Sequence, residues 1–181
     1  MKAAILYWSA GGNTEKVALA IQETLDASGM ETVLKRIEDA ENVDWYAYDL
    51  VCVGFPSYRW HPPQPVDGYL QRKFTEYSRQ GKVRVGAPAI PGKHALAFCT
   101  YSGQHTGINE ALPATQYAGQ FFEHLGFTVR DDWCIVGQYH GSEEANTRGR
   151  LGDIRGRPDE RDLAQVRQDT AEFVRRISGD D

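Results

Sequence analysis

In Tyr7-Trp8-Ser9-Ala10-Gly11-Gly12-Asn13-Thr14 an apolar run gives way within a few residues to small hydroxyl and glycine residues, and then to a helical pattern. Upstream, Ala3 to Trp8 reads as a strand; downstream, Val17, Ala18, Ile21 and Leu25 recur at the spacing of one helix face. The turn between them has the composition of an anion cradle. Gly11 and Gly12 let backbone N–H groups approach closely, Ser9 and Thr14 offer hydroxyl donors, and the following helix points its positive end at the same spot. The turn holds no lysine, since Lys16 lies beyond it. That favours a phosphate monoester held by neutral donors over a nucleoside triphosphate, which calls for a Gly-Lys-Ser/Thr loop. The plainer reading of the same residues is a capped strand-to-helix connection with Asn13 or Thr14 as N-cap.

The strand–turn–helix alternation continues along the chain. Glu31 to Ile37 forms a second strand, followed by an acidic, solvated connection from Glu38 to Asp44. Leu50 to Phe55 is apolar on both faces, as the centre of a parallel sheet requires. It runs into Pro56-Ser57-Tyr58-Arg59-Trp60-His61-Pro62-Pro63, where the prolines exclude regular structure. Val66, Tyr69, Leu70, Phe74 and Tyr77 mark the next helix face, and Gln80 to Lys93 is a glycine- and proline-punctuated connection. Gly92-Lys93 within it is no phosphate loop, because His94 stands where a hydroxyl belongs and Pro88 and Pro91 lack amide donors.

His94 to Tyr101 is the fourth strand and leads into Ser102-Gly103-Gln104-His105-Thr106-Gly107. Ala118, Phe121, Phe122 and Leu125 form a helix face closed by Gly126. Phe127 to Gln138 is a fifth strand, bent or broken near Asp131 and Asp132. Tyr139 to Pro158 is a long polar connection, and Leu163, Val166, Thr170, Phe173, Val174 and Ile177 line the last helix. The pattern predicts one α/β domain over residues 1–181, doubly wound around five parallel strands. Ligands of such folds bind beyond the carboxyl ends of the strands, which places segments 9–14, 56–63 and 100–107 on one rim.

The balance of 20 basic to 25 acidic residues argues against nucleic acid or an anionic membrane as partner. The apolar runs are too short to span a bilayer, and the start of the chain does not read as a secretory signal, so a cytoplasmic protein is expected. Cys52, Cys99 and Cys134 sit in apolar runs and read as free thiols in a reducing compartment. The histidines lack metal-ligand spacing and there is no Cys-x-x-Cys pair, so no metal is expected. Ser102 lacks the Gly-x-Ser-x-Gly elbow of hydrolases.

The wording Tyr-Trp-Ser-x-x-Gly-Asn-Thr-Glu-Lys, from Tyr7 to Lys16, resembles the FMN-phosphate loop of flavodoxins, above all the short-chain ones. The order of elements and the aromatic second loop extend the resemblance over most of the chain. It implies a flavodoxin-like sheet of order 2-1-3-4-5 with helices on both faces. It also implies one noncovalent FMN and electron transfer with a redox partner protein. Carried onto matching positions, Ser9, Gly11, Gly12, Asn13 and Thr14 would hold the phosphate, with Ala10 among them. Pro56, Ser57, Tyr58, Arg59 and Trp60 would form the second loop, with Tyr58 or Trp60 flanking the isoalloxazine. Thr100, Tyr101, Ser102, Gly103, His105 and Gly107 would meet the ring from the other side.

The chain departs from that pattern in three places. Gly11 stands where the phosphate loop usually carries a second threonine, so one hydroxyl contact must be replaced by backbone or water. No glycine occurs between Gly54 and Gly68, where many flavodoxins use a peptide flip to bond the reduced flavin N5. The rim carries Arg59, His61 and His105 in place of acidic residues, and positive neighbours favour an anionic reduced flavin. In addition, Gly-x-His-x-Gly with Glu110, and Gly54-x-Pro-Ser, are similar to loops of NAD(P)H:quinone oxidoreductases of the tryptophan-repressor-binding-protein type. That likeness implies an alternative: an NAD(P)H-dependent quinone reductase, homo-oligomeric sites, and His105 as the catalytic group that polarises a substrate oxygen. The arginine-rich connection from Tyr139 to Pro158 is expected to act as a lid or docking segment for the redox partner.

Overall fold

Successive residues of a strand face opposite sides of a sheet, and here both sides are apolar. The computed structural model describes residues 1–179. Its strands β1 (Lys2–Tyr7), β2 (Glu31–Arg36), β3 (Leu50–Pro56), β4 (His94–Tyr101) and β5 (Thr128–Val136) form one parallel sheet in the order β2-β1-β3-β4-β5. The helices are α1 (Asn13–Ala27), α2 (Gln64–Arg79), α3 (Leu112–His124), α4 (Glu143–Arg148) and α5 (Glu160–Ser178). Ala4, Leu6, Val51, Val53, Ala95 and Ala97 share one core with Val66, Leu70, Ala118 and Phe122 of α2 and α3. Ala3, Ile5, Cys52, Leu96 and Phe98 share the other with Val17, Ile21, Val166 and Phe173 of α1 and α5. The doubly wound order expected from the sequence is therefore the observed one.

The strand register sets the site. Tyr7 lies beside Gly54, and Pro56 beside Thr100, so β1, β3 and β4 release their loops at one level. Ser57 N donates to Thr100 O (2.8 Å), carrying the β3–β4 ladder one residue past β3. The bend expected in the fifth strand is a register shift: Ala95 pairs with Val129 but Ala97 with Asp132, leaving an additional residue on β5.

Two connections are more ordered than their composition suggested. The segment after β2 carries 3-10 turns at Ile37–Asp39 and Trp45–Ala47, and the second drives Trp45 fully into the core. Its indole N–H donates to Tyr69 Oη (3.0 Å) and its backbone N–H to Tyr77 Oη (2.6 Å). Emptying such a site costs about 3–5 kcal/mol. The second is the polar connection 139–158, which contains α4, with Ser142 Oγ accepting from Ala145 N (3.2 Å) at its N-terminus.

Candidate functional site

A cavity of about 1260 Å³ opens at the carboxyl ends of the strands, walled by the loops after β1, β3, β4 and β5. The first wall is the turn from Ser9 to Thr14. Gly12 caps α1 in the left-handed region (φ 87°), and no side chain takes the N-cap role considered for Asn13 or Thr14. Both side chains are engaged elsewhere. Asn13 Nδ2 donates to Gln138 O (2.8 Å), and Thr14 Oγ1 lies 2.9 Å from Thr100 Oγ1 at the end of β4. Two hydroxyls that share one hydrogen bond keep a second proton between them, so this pair retains a donor. Gly12 N donates to Ser9 Oγ (3.0 Å), which leaves the Ser9 hydroxyl proton to donate in its turn. Arg36 steadies the turn from β2 by donating to Ser9 O (3.1 Å).

The second wall is a miniature hairpin. Tyr58 N donates to His61 O (2.9 Å) and His61 N to Tyr58 O (3.2 Å). Between them Arg59 (φ 50°) and Trp60 (φ 65°) are both left-handed, as in a type I′ turn. Neither is the glycine or asparagine that such a turn favours, and the pair costs roughly 1–3 kcal/mol per residue. The hairpin presents two aromatic rings at the mouth, Tyr58 (48% exposed) and Trp60 (60%). Trp8 supports Tyr58 edge-on at 6.0 Å. Burial, and then the neighbouring Tyr139 phenol, raise the Tyr58 hydroxyl above the usual tyrosine range. His61 turns away: its Nδ1 donates to Pro62 O (2.9 Å), its ring packs on Tyr117 at 4.3 Å, and it does not line the cavity.

The third wall follows β4. Glu110 Oε1 accepts from His105 N (2.7 Å) and Thr106 N (2.6 Å), and Ser57 Oγ donates to Glu110 O, so one residue ties the second and third loops together. The expected positive rim is thereby revised: His61 leaves it, Arg59 and His105 stay, and the Glu110 carboxylate joins it. Gly103 (φ 55°) and Gly107 (φ 67°) shape the loop, with Gly107 N donating to Gly103 O (3.1 Å). Tyr101 is buried against the cavity floor, and burial raises its hydroxyl pKa before any charge does.

The fourth wall comes from the end of β5 and the start of the connection expected to act as a lid or docking segment, although none of its residues was singled out as a cofactor contact. Gln138, Tyr139 and His140 close the cavity on the side of the first turn. Asn146, 2% exposed, holds this strap: its Oδ1 accepts from Tyr139 N (2.8 Å) and its Nδ2 donates to Tyr139 O (2.7 Å). Gln138 N donates to Arg157 O (2.8 Å), and Arg150 N donates to Gln104 O (2.9 Å), so the strap is also bound to the third loop.

Of the residues expected at a cofactor, Ser9, Ala10, Gly11, Asn13, Thr14, Pro56, Ser57, Tyr58, Arg59, Trp60, Thr100, Tyr101, Ser102 and His105 line this one cavity. Gly12, Gly103 and Gly107 do not; they bend the loops that do. Gln104, Thr106, Asn109, Glu110, Gly137, Gln138, Tyr139 and His140 line it in addition. At Gly137 a Cβ would lie 2.9 Å from Asn13 Nδ2, so glycine there suits the close approach of the strap to the first turn. Among the described residues, no helix is long and apolar enough to cross a membrane, and no group of three or more His, Cys, Asp or Glu could hold a metal ion.

The donor set suits a phosphate monoester: a glycine turn at a helix N-terminus, two sources of hydroxyl protons and no lysine among the lining residues. The paired rings at the mouth suit a flat heteroaromatic group. Together with the strand order, they define a flavodoxin-like fold with a mononucleotide-sized site. The family model for flavodoxin matches residues 5–129, and the chain belongs to the flavodoxin family, whose cofactor is FMN. It is 29% identical to the flavodoxin of Megasphaera elsdenii over 97 residues, which are 54% of this chain and 63% of that protein. The match thus spans less than two thirds of that relative's length. Among solved structures, an archaeal flavodoxin superposes with a TM-score of 0.68 at 17% identity, over 98% of this chain and 99% of its own. Flavodoxin 1 of Bacillus cereus does so with 0.67 at 16% identity, over 97% and 98%.

Proposed function

We propose that this chain is a single-domain electron-transfer flavoprotein that holds one FMN noncovalently in the rim cavity and exchanges electrons with protein partners in the cytoplasm. The observation that carries it is the convergence of the Ser9–Thr14 turn, the Tyr58–Trp60 hairpin and the third loop on one cavity. FMN, when bound, supplies chemistry in steps of one or two electrons. In this reading Ser9, the Thr14–Thr100 pair and the backbone of 10–14 bind the phosphate. Tyr58 or Trp60 would flank and shield the ring, and the third loop, braced by Glu110, would meet it from the other side. Exposed Tyr58, Trp60, Ile108, Tyr139 and Leu151 lie on the cavity loops and the strap, a patch suited to transient docking of a partner protein.

The test is spectroscopic. Purified protein mixed with FMN should give a bound-flavin visible spectrum and quenched flavin fluorescence; a protein that leaves FMN unbound refutes the reading. A second reading, an NAD(P)H-dependent quinone reductase with His105 at the substrate oxygen, rests on the placement of His105 among the residues that line the cavity. Photoreduction in two resolved one-electron stages favours the carrier. A single two-electron step, with NADH consumed when quinone is supplied, favours the reductase.

A further inference from the structure

The threonine missing at position 11 leaves a space, and that space is filled. A Cβ built on Gly11 would lie 2.4 Å from both Cδ2 and Nε2 of His140, far inside contact distance. The next nearest atom, His140 Cγ, is at 3.4 Å, so it is the imidazole of exposed His140 that occupies the space a side chain there would take. Gly11 is outside the left-handed region that Gly12 occupies, so its φ does not call for glycine. The ring is carried to this spot by a built path. Asn13 of α1 binds Gln138 O, Asn146 grips both backbone groups of Tyr139, and Gly141 lets the chain fold back over the Tyr139 ring, where a Cβ would meet it at 2.5 Å. His140 thus reaches the first turn from the far end of the sheet and lines the cavity beside Ser9 and Gly11.

We propose that His140 replaces the side chain absent at position 11, its imidazole Nε2 donating a hydrogen bond to the FMN phosphate. This rests on the FMN reading above and adds to it a phosphate contact made by a side chain from the strap, where the sequence left backbone or water. A donor to a charged oxygen in such a turn is worth about one to two orders of magnitude in affinity.

The experiment titrates FMN and riboflavin, which lacks the phosphate, into wild type, His140→Ala, His140→Gln, and Gly11→Thr combined with His140→Ala, following flavin fluorescence. His140→Ala should raise the FMN dissociation constant about 10- to 100-fold and leave that for riboflavin within about 2-fold. His140→Gln, which keeps a donor, should recover part of the loss. Adding Gly11→Thr to His140→Ala should tighten FMN, because the vacated space accepts the threonine and its hydroxyl. The 31P resonance of bound FMN should move between wild type and His140→Ala. Unchanged FMN affinity in His140→Ala, or equal losses for FMN and riboflavin, overturns the assignment while the FMN reading stands. Wild type that binds neither flavin overturns both.

Discussion

Asn146→Asp probes the strap with almost no change of shape. The aspartate keeps one oxygen to accept from Tyr139 N, now at 2.8 Å, but sets a second oxygen against Tyr139 O where an N–H donated at 2.7 Å. Asn146 is 2% exposed, so the new charge is also taken out of water. Losing the hydrogen bond costs about 1 kcal/mol, and the desolvated, opposed oxygens add about 1–3 kcal/mol, for a local penalty of roughly 2–4 kcal/mol. Opening of the strap should then become roughly 30- to 700-fold easier, read as faster amide exchange at Tyr139 and Ile154, whose N–H groups bond to Asn146. The sign with pH follows from linkage. The buried carboxyl should titrate above its unfolded value of about 3.9, so the penalty is full above the folded pKa and fades as pH falls through it, when the acid's O–H restores a donor. Native-state exchange at pH 7 and pH 5 measures both. Exchange at these amides equal to wild type at pH 7 would refute the claim that Asn146 pins the strap.

Three further outcomes follow from the geometry. Trp60→Gly should hold or raise thermal stability, by up to about 1–3 kcal/mol, because glycine removes the left-handed strain, while weakening flavin affinity through loss of the ring; equal flavin binding would remove Trp60 from the site. At Asp162, burial pushes the carboxyl up, but the Arg157 hydrogen bond and the Asp159 N–H outweigh it and hold the pKa below the usual carboxylate range. Its stabilisation is therefore complete above about pH 4 and lost as pH falls through the lower folded value; Asp162→Asn should cost about 2 kcal/mol at pH 7 and flatten the acid limb of a urea-unfolding series. Among the thiols, hydrogen bonding from Cys99 Sγ (4.0 Å) lowers the Cys134 pKa, whereas burial raises that of Cys52. Iodoacetamide on the native protein should therefore label Cys134 first and Cys52 only after unfolding, as read by peptide mass spectrometry.

The layout of the fold was legible because its determinants are local and periodic. Leu50 to Phe55 reads as a central strand from its unbroken apolar run, and Val17, Ala18, Ile21 and Leu25 as a helix face, since burial on a sheet selects those spacings. Ser9 to Thr14 announced the phosphate turn for the same reason: glycine, hydroxyl and helix start must be adjacent for a backbone cradle to form. The misjudged parts depend on direction. His61 was expected at the rim, but the turn of the Tyr58–His61 hairpin points it at Tyr117. Trp45 sits next to an acidic stretch, and its place is made by distant residues: Tyr69 and Tyr77, 24 and 32 residues away, bond its indole and backbone, and Phe122 packs on its ring at 4.7 Å.

The sequence alone carried the order of the five strands and of the helices other than α4, the family resemblance, and the residues of three cavity walls. Each is written in neighbouring residues. Only the folded chain shows how the fourth wall meets the first: the bond from Asn13 to Gln138 joins residues 125 apart, and the approach of His140 to Gly11 spans a similar length of chain. A glycine in place of threonine looks like a lost contact when read along the chain. Folded, it is the opening through which a distant side chain reaches the turn, because a missing Cβ acquires meaning only from whatever packs into its space.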